Sequence, residues 1–209
     1  MNPLNASSIV TSLGLAGVLI VLFVETGLLV GLVLPGDSLL FVAGVSASGT
    51  ATAVVGAHLS LPALLILAPI AAVLGAQLGH KLGAKYGRPL FQRPEGRIFN
   101  SSRVVRAEEW LAKYGEGRAI VLARFVPIVR TLINPLAGIL HVPAGRFFRW
   151  NLIGGILWTE TVIMIGYVLG ERLKGSVDRY LLPLIALIIA LSLIPVALEL
   201  RAERKRGRN

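Results

Sequence analysis

The sequence predicts an all-α integral membrane protein, an inverted repeat of two re-entrant helical hairpins plus membrane-spanning helices. Three observations carry that prediction. The 209 residues are 55% hydrophobic and only 15% charged, with a mean hydropathy of +0.74, which leaves too little polar surface for a soluble domain of this length. The charges are also segregated. No Lys or Arg precedes Lys81, and the only acids before Glu95 are Glu25 and Asp37. Finally, two of the apolar stretches are broken by proline and carry charges. Long neutral stretches between charged clusters are what a bilayer selects for.

Along the chain, residues 9–24 are apolar and end at Glu25, and residues 28–47 are apolar but interrupted by Pro35-Gly36-Asp37. Residues 61–79 form a charge-free span long enough to cross the hydrocarbon. A basic, polar stretch follows from Lys81 to Arg118, and its 104–114 portion reads as a short amphipathic helix at the membrane interface. Residues 119–140 are apolar yet carry Arg124, Pro127, Arg130 and Pro135; residues 150–170 form a span containing Glu160; residues 181–198 form the last span, before a basic tail at 201–209. The chain thus reads as a single transmembrane domain over 1–200, with inverted halves at about 9–86 and 104–170. The apolar N-terminus lacks a basic n-region and a small-residue cleavage site, so it reads as a retained part of the fold.

Topology follows from the basic residues. The 81–118 stretch holds nine Lys/Arg against four acids, and the tail from Arg201 holds five against one. Both are expected on the cytoplasmic side, which places the C-terminus there. If 119–140 crossed the membrane, Arg146 and Arg149 would emerge outside and the tail could not reach the cytoplasm without a further span. If 119–140 enters and returns, every basic cluster is inside. By the same parity 28–50 dips in from the outer face. Each hairpin has a proline near its middle, as a broken helix requires. A weak internal repeat agrees with this parity. Pro35 precedes Ala43-Gly44 as Pro127 precedes Ala137-Gly138, and the spans that follow carry the pentads Gly79–Gly83 and Gly166–Gly170. The two spans run in opposite directions, the arrangement of many secondary transporters.

Two acids, Glu25 and Asp37, bracket the first hairpin, and two arginines, Arg124 and Arg130, bracket the break in the second. A lone charge at the bilayer centre costs roughly 2.5–3.5 kcal/mol on insertion scales. One reading makes these residues structural ion pairs. The other makes the arginines an anion site, with a carboxylate that takes up and releases a proton. Arginine suits a phosphate because its planar fork makes two parallel bonds, and a carboxylate in a low-dielectric pocket can take up a proton near physiological pH. Six residues apart, Arg124 and Arg130 would point about 120° from each other on an unbroken helix, and Pro127 lets both turn into one cavity. Asp37-Ser38 could alternatively cap the returning helix of the first hairpin.

These residues also carry a family resemblance. The stretch from Glu25 to Gly44 (ETGLLVGLVLPGDSLLFVAG) resembles the first signature of the DedA family of bacterial membrane proteins, and Arg124 to Thr131 (RFVPIVRT), followed by Ala137-Gly138, resembles its second. The resemblance covers about residues 15–170. It implies that Glu25, Asp37, Arg124 and Arg130 are the residues required for function. It also implies a likeness to eukaryotic lipid scramblases, a role in returning undecaprenyl phosphate across the membrane, and a link to the proton-motive force. Two positions depart from the family pattern. Asn134 stands where a proline is usual, with Pro135 following it, and His80 stands where an aromatic residue or an acid is usual.

The function expected is translocation of an anionic lipid, most concretely a polyprenyl phosphate, across the bacterial cytoplasmic membrane, with proton coupling. The alternatives are a proton-coupled antiporter of a small cation or drug, and a non-transporting scaffold. Arg124 and Arg130 would bind substrate, joined by Asn134 unless that amide serves backbone freed by Pro135. Glu25 and Asp37 would couple or gate by protonation. Glu160 either joins them or acts as a structural counter-ion. His80 reads as a boundary residue beside Lys81 or a proton relay, Gln77 as a helix–helix hydrogen bond, and Trp150 and Trp158 as interface or packing aromatics. The partners expected are lipid and protons, with self-association left open. Nucleic acid is not expected, since the Lys and Arg flank apolar segments without aromatic interleaving. No metal or cofactor is expected, and no enzyme motif occurs: the chain has no cysteine, no phosphate loop and no nucleophile elbow, and its three histidines lack catalytic context.

Overall fold

The structure is a computed structural model that describes residues 6–27, 36–49, 58–91 and 101–172. These residues form α1 (Ala6–Gly27), α2 (Gly36–Ser46), α3 (Leu61–Phe91), α4 (Ser101–Tyr114), α5 (Glu116–Ala123), α6 (Pro127–Ile139) and α7 (Ala144–Arg172). No strand occurs among the described residues. The predicted 181–198 span, the 201–209 tail and Pro35 lie outside them.

Two helices are long and apolar enough to cross a bilayer, judged by length and composition. Leu61–Gly87 has 27 residues at mean hydropathy 2.1, and Ala144–Arg172 has 29 at 1.7. At 1.5 Å per residue each exceeds the roughly 30 Å of hydrocarbon. Both outrun the apolar windows that predict them. Past residue 79, α3 continues through Lys81 and Lys85 to Phe91, where Gly83 and Gly87 pack on Pro135 and Ile139 of α6. α1 bends at Gly14, where φ is 57° and ψ is −144°, a backbone conformation that only glycine adopts without a steric penalty.

The break in the second apolar segment is where proline predicts it. After α5 the amides of Arg124, Phe125 and Val126 donate to the carbonyls of Val121, Leu122 and Ala123, a tightened last turn. Val126 is then extended, and Pro127 opens α6 as its first residue, a position whose N–H has no helical partner in any case. The 8 residues of α5 and the 13 of α6 span about 12 and 20 Å, and neither alone crosses the hydrocarbon. In the first segment, α2 begins at Gly36 with Asp37 in its first turn. Asp37 is therefore inside the helix and not at its cap, where it still favours the positive end of the helix dipole.

The amphipathic helix α4 packs on the second broken helix. Its Ala107 packs with Leu132, Leu136 and Ile139 of α6, and the Trp110 indole N–H donates to the Ala119 carbonyl of α5 at 3.1 Å. It braces the second broken helix from outside.

The chain forms two compact units, each drawing on both sequence halves. One takes Leu22–Gly31 and Pro69–Trp158, and the other takes Met1–Val21, Leu32–Ala68 and Thr159–Asn209. Within the first, α3 presents a stripe of glycines four apart. Gly75 faces Phe23 and Thr26 of α1, Gly79 faces Gly27, Gly83 faces the backbone of Pro135, and Gly87 faces Ile139. Bare backbone on that stripe lets α1 and α6 approach closely, the small-residue packing expected where lipid supplies no hydrophobic drive. Within the other unit, Gly166 of α7 faces Phe41 and Val45 of α2, and Gly44 of α2 faces Ile163 and Tyr167. The two patterns correspond. Gly83 meets a residue three before Gly138, and Gly166 meets one three before Gly44. Gly166 thus packs on α2 much as Gly83 packs on α6.

Candidate functional site

The predicted site residues Glu25, Arg124, Arg130 and Asn134 all fall in the unit that holds the second broken helix. Glu25 lies near the C-terminal end of α1 and is buried. Its Oε1 accepts from Arg130 Nη2 at 3.0 Å, and the two side chains are only 1% and 7% accessible. Arg130 lies in the first turn of α6. Its guanidinium carbon sits 4.5 Å from the centre of the Trp158 ring, so an indole face covers the cation while the carboxylate pairs with it.

One helical turn after Arg130, Asn134 Nδ2 donates to the Thr26 carbonyl at 2.9 Å. That carbonyl belongs to the last turn of α1, whose carbonyls have no partner within their own helix. Asn134 therefore serves the end of α1. The backbone group that Pro135 frees is the carbonyl of residue 131, four back. Residues 130 and 134 lie on the same face of α6, and they grip the consecutive residues Glu25 and Thr26. Asn134 Oδ1 has no hydrogen-bond partner among the described residues.

Arg124 ends α5 and is fully buried. Its Nη2 donates to Asn151 Oδ1 of α7, and Asn151 Nδ2 in turn donates to the Val73 carbonyl of α3 at 3.1 Å. Arg124 Nε and Nη1 have no hydrogen-bond partner among the described residues. Arg124 lies within electrostatic reach of Arg130 and Glu25. A buried guanidinium is costly unless an acceptor meets its free donors.

The remaining candidates have different surroundings. Asp37 and Glu160 belong to the other unit. Asp37 is half-buried in the first turn of α2, and Glu160 is half-buried on α7. His80 is buried among protein side chains. Its Nε2 lies 2.9 Å from the Val142 carbonyl, which assigns the proton to that nitrogen, and its ring stacks on Phe147 at 4.5 Å. Gln77 of α3 donates to the carbonyl of Ala144, the first residue of α7, at 3.4 Å, an inter-helix bond as expected. Trp150 is partly exposed and lies against Gly117. No group of three or more His, Cys, Asp or Glu that could hold a metal occurs among the described residues.

Sequence reasoning passed over Asn151 and the cation-covering role of Trp158. Asn151 is the only amide side chain in the 150–170 span, which is the signal that could have found it.

Residues 10–168 match the VTT domain family. The chain is 38% identical to the protein DedA of Escherichia coli K12 over 181 residues, covering 87% of this chain and 79% of that one. It is 35% identical over 210 residues to an uncharacterized membrane protein of Mycobacterium tuberculosis, covering 99% and 87%. It is also 35% identical over 185 residues to one of Mycobacterium leprae, covering 87% and 77%. No solved structure matches the chain significantly.

Proposed function

Because the chain belongs to the DedA family of VTT-domain membrane proteins, we propose that it translocates an anionic lipid, a polyprenyl phosphate in the most concrete form, across the cytoplasmic membrane. The observation that carries this reading is Arg124, a fully buried guanidinium whose Nε and Nη1 have no acceptor among the described residues. A phosphate oxygen supplies the charge-assisted acceptor that such donors need.

Arg130 plays a second part. In the observed state Glu25 occupies it. Protonation of Glu25 weakens that pair and releases Arg130 to share the phosphate with Arg124, which links proton uptake to substrate binding. Asp37 and Glu160 are further protonatable groups for the same cycle, and Asn134 Oδ1 is a candidate acceptor for a headgroup hydroxyl. The protein acts as a transporter and not as an enzyme. The broken helix α5–α6 is a re-entrant hairpin in this reading, and α1–α2 is its inverted counterpart. The corresponding glycine packing of Gly83 with α6 and of Gly166 with α2 supports that relation.

The experiment is translocation of a labelled polyprenyl phosphate and, separately, a labelled glycerophospholipid by the purified protein in proteoliposomes. Faster movement of the phosphate lipid than in empty vesicles is expected, and no acceleration of either lipid sinks the proposal. The cytoplasmic placement of the basic 81–118 stretch is tested separately. The chain has no cysteine, so a single Arg97→Cys variant can be labelled in cells, and protection from an outside reagent is expected. Outside labelling would remove the topological basis of the hairpins.

A further inference from the structure

We infer that Asn151 is a positioning residue for Arg124, holding the guanidinium by one nitrogen so that its other donors face the translocated phosphate. This rests on the reading of Arg124 as the phosphate anchor and assigns the residue that makes it one. Asn151 is fully buried, and both ends of its amide are used, Oδ1 by Arg124 Nη2 and Nδ2 by the Val73 carbonyl. The bond to Val73 fixes which end meets the arginine. Reversed, the amide would set two N–H groups against a guanidinium and an oxygen against a carbonyl.

The backbone of α7 is shaped for the same arrangement. Gly154 lies three residues after Asn151, on its face of the helix. A Cβ at Gly154 would come within 3.1 Å of both Arg124 Cγ and Val121 Cα. The bare glycine lets the arginine stem lie along α7 while its head reaches Asn151. Two independent features, a directed hydrogen-bond relay and a relieved helix face, therefore converge on one side chain.

The chemistry of the strut matters as much as its position. Arg130 is held by a carboxylate, Glu25, which satisfies its charge. Arg124 is held by a neutral amide, which fixes geometry and leaves the positive charge uncompensated by its holder. A carboxylate at position 151 would form the stronger bond, since ionised acceptors bind roughly twice as strongly. It would also compete with the incoming phosphate for the same cation.

That difference separates positioning from mere support. The test uses full-length protein in proteoliposomes, with the transport rate measured against the concentration of labelled polyprenyl phosphate for wild type, Asn151→Asp and Asn151→Gln. Asn151→Asp strengthens the contact with Arg124 but loses the bond to the Val73 carbonyl, so its melting temperature is measured first and KM is read on folded protein. Its apparent KM is expected to rise about tenfold or more, the loss of one charge-assisted bond, with little change at saturating lipid. Asn151→Gln keeps the amide but is one methylene longer, so it should displace the guanidinium and raise KM as well. A purely structural role predicts the opposite for Asn151→Asp, and a stable variant with wild-type KM overturns the inference. If Asn151→Asp does not fold, an unchanged KM in Asn151→Gln overturns it equally. Failure of the wild type to move the lipid would instead remove the anchor reading of Arg124 itself.

Discussion

Glu25→Gln is expected to accumulate poorly and to melt far below wild type. The carboxylate it removes pairs with Arg130 at 3.0 Å, and both side chains are almost fully shielded from solvent. Glutamine retains the shape and one acceptor but removes the negative charge that Glu25 sets against the guanidinium. Breaking a buried pair in this way costs about 3–5 kcal/mol, a large part of the roughly 5–15 kcal/mol that keeps a typical domain folded. The Trp158 face recovers only part of that, since a cation–π contact contributes about 2 kcal/mol when desolvated. The measurements are the yield and melting temperature of purified protein. The paired variant Glu25→Gln/Arg130→Gln, which removes both charges, is expected to regain stability, because loss of both partners is far less costly than loss of one. A Glu25→Gln protein of normal yield and melting temperature would mean that the carboxylate is already protonated in the resting state.

This expectation constrains the proposed cycle. In the proposed cycle Glu25 takes up its proton as a phosphate replaces it at Arg130, so proton uptake and substrate arrival are expected to be one event. The polyprenyl phosphate should accordingly raise the melting temperature of Glu25→Gln more than that of wild type, since a ligand that binds only the folded state stabilises it by mass action.

Arg124→Lys is expected to fold yet to lose most transport. Lysine keeps the charge but has no planar fork, so it cannot hold Asn151 and a phosphate in fixed relative directions. Losing a hydrogen bond to a charged group costs about 1.5–3 kcal/mol, or roughly a 10- to 150-fold drop in transport efficiency. The rate of polyprenyl phosphate movement, normalised to folded protein, measures this. Near-normal rates with lysine would make Arg124 a charge-balancing residue and favour a small cation or drug as the substrate.

Much of this site was legible in the chain. Charges inside apolar stretches are rare enough that Glu25, Arg124 and Arg130 stood out, and Pro127 between the arginines gave the break. The pairing did not follow from sequence. Nothing in spacing distinguishes Glu25–Arg130 from Glu25–Arg124, because the choice depends on how α1 and α6 settle against the glycine stripe of α3. The same stripe leaves the register of the expected repeat open in sequence, because Gly75, Gly79, Gly83 and Gly87 recur every four residues and overlapping pentads look equally good. Asn151 stayed hidden for a different reason. A single amide hardly alters the average of an apolar window, yet in the fold it meets the most buried charge. The burial of His80 was not legible beside Lys81, because α3 turns the two side chains in different directions, about 100° apart.

The 105 residues that separate Glu25 from Arg130 have a consequence for biogenesis. At about 5–20 residues per second, the ribosome needs roughly 5–20 s to deliver the guanidinium after the carboxylate has emerged. The end of α1 cannot reach its final seat during that interval, because its counter-charge has not yet been made. The segment carrying Glu25 must wait in a wetter place, such as the insertion machinery or the headgroup region, or cross into the hydrocarbon as the neutral acid. α6 is therefore a late-arriving keystone, and the end of α1 settles only once the nascent chain has reached it.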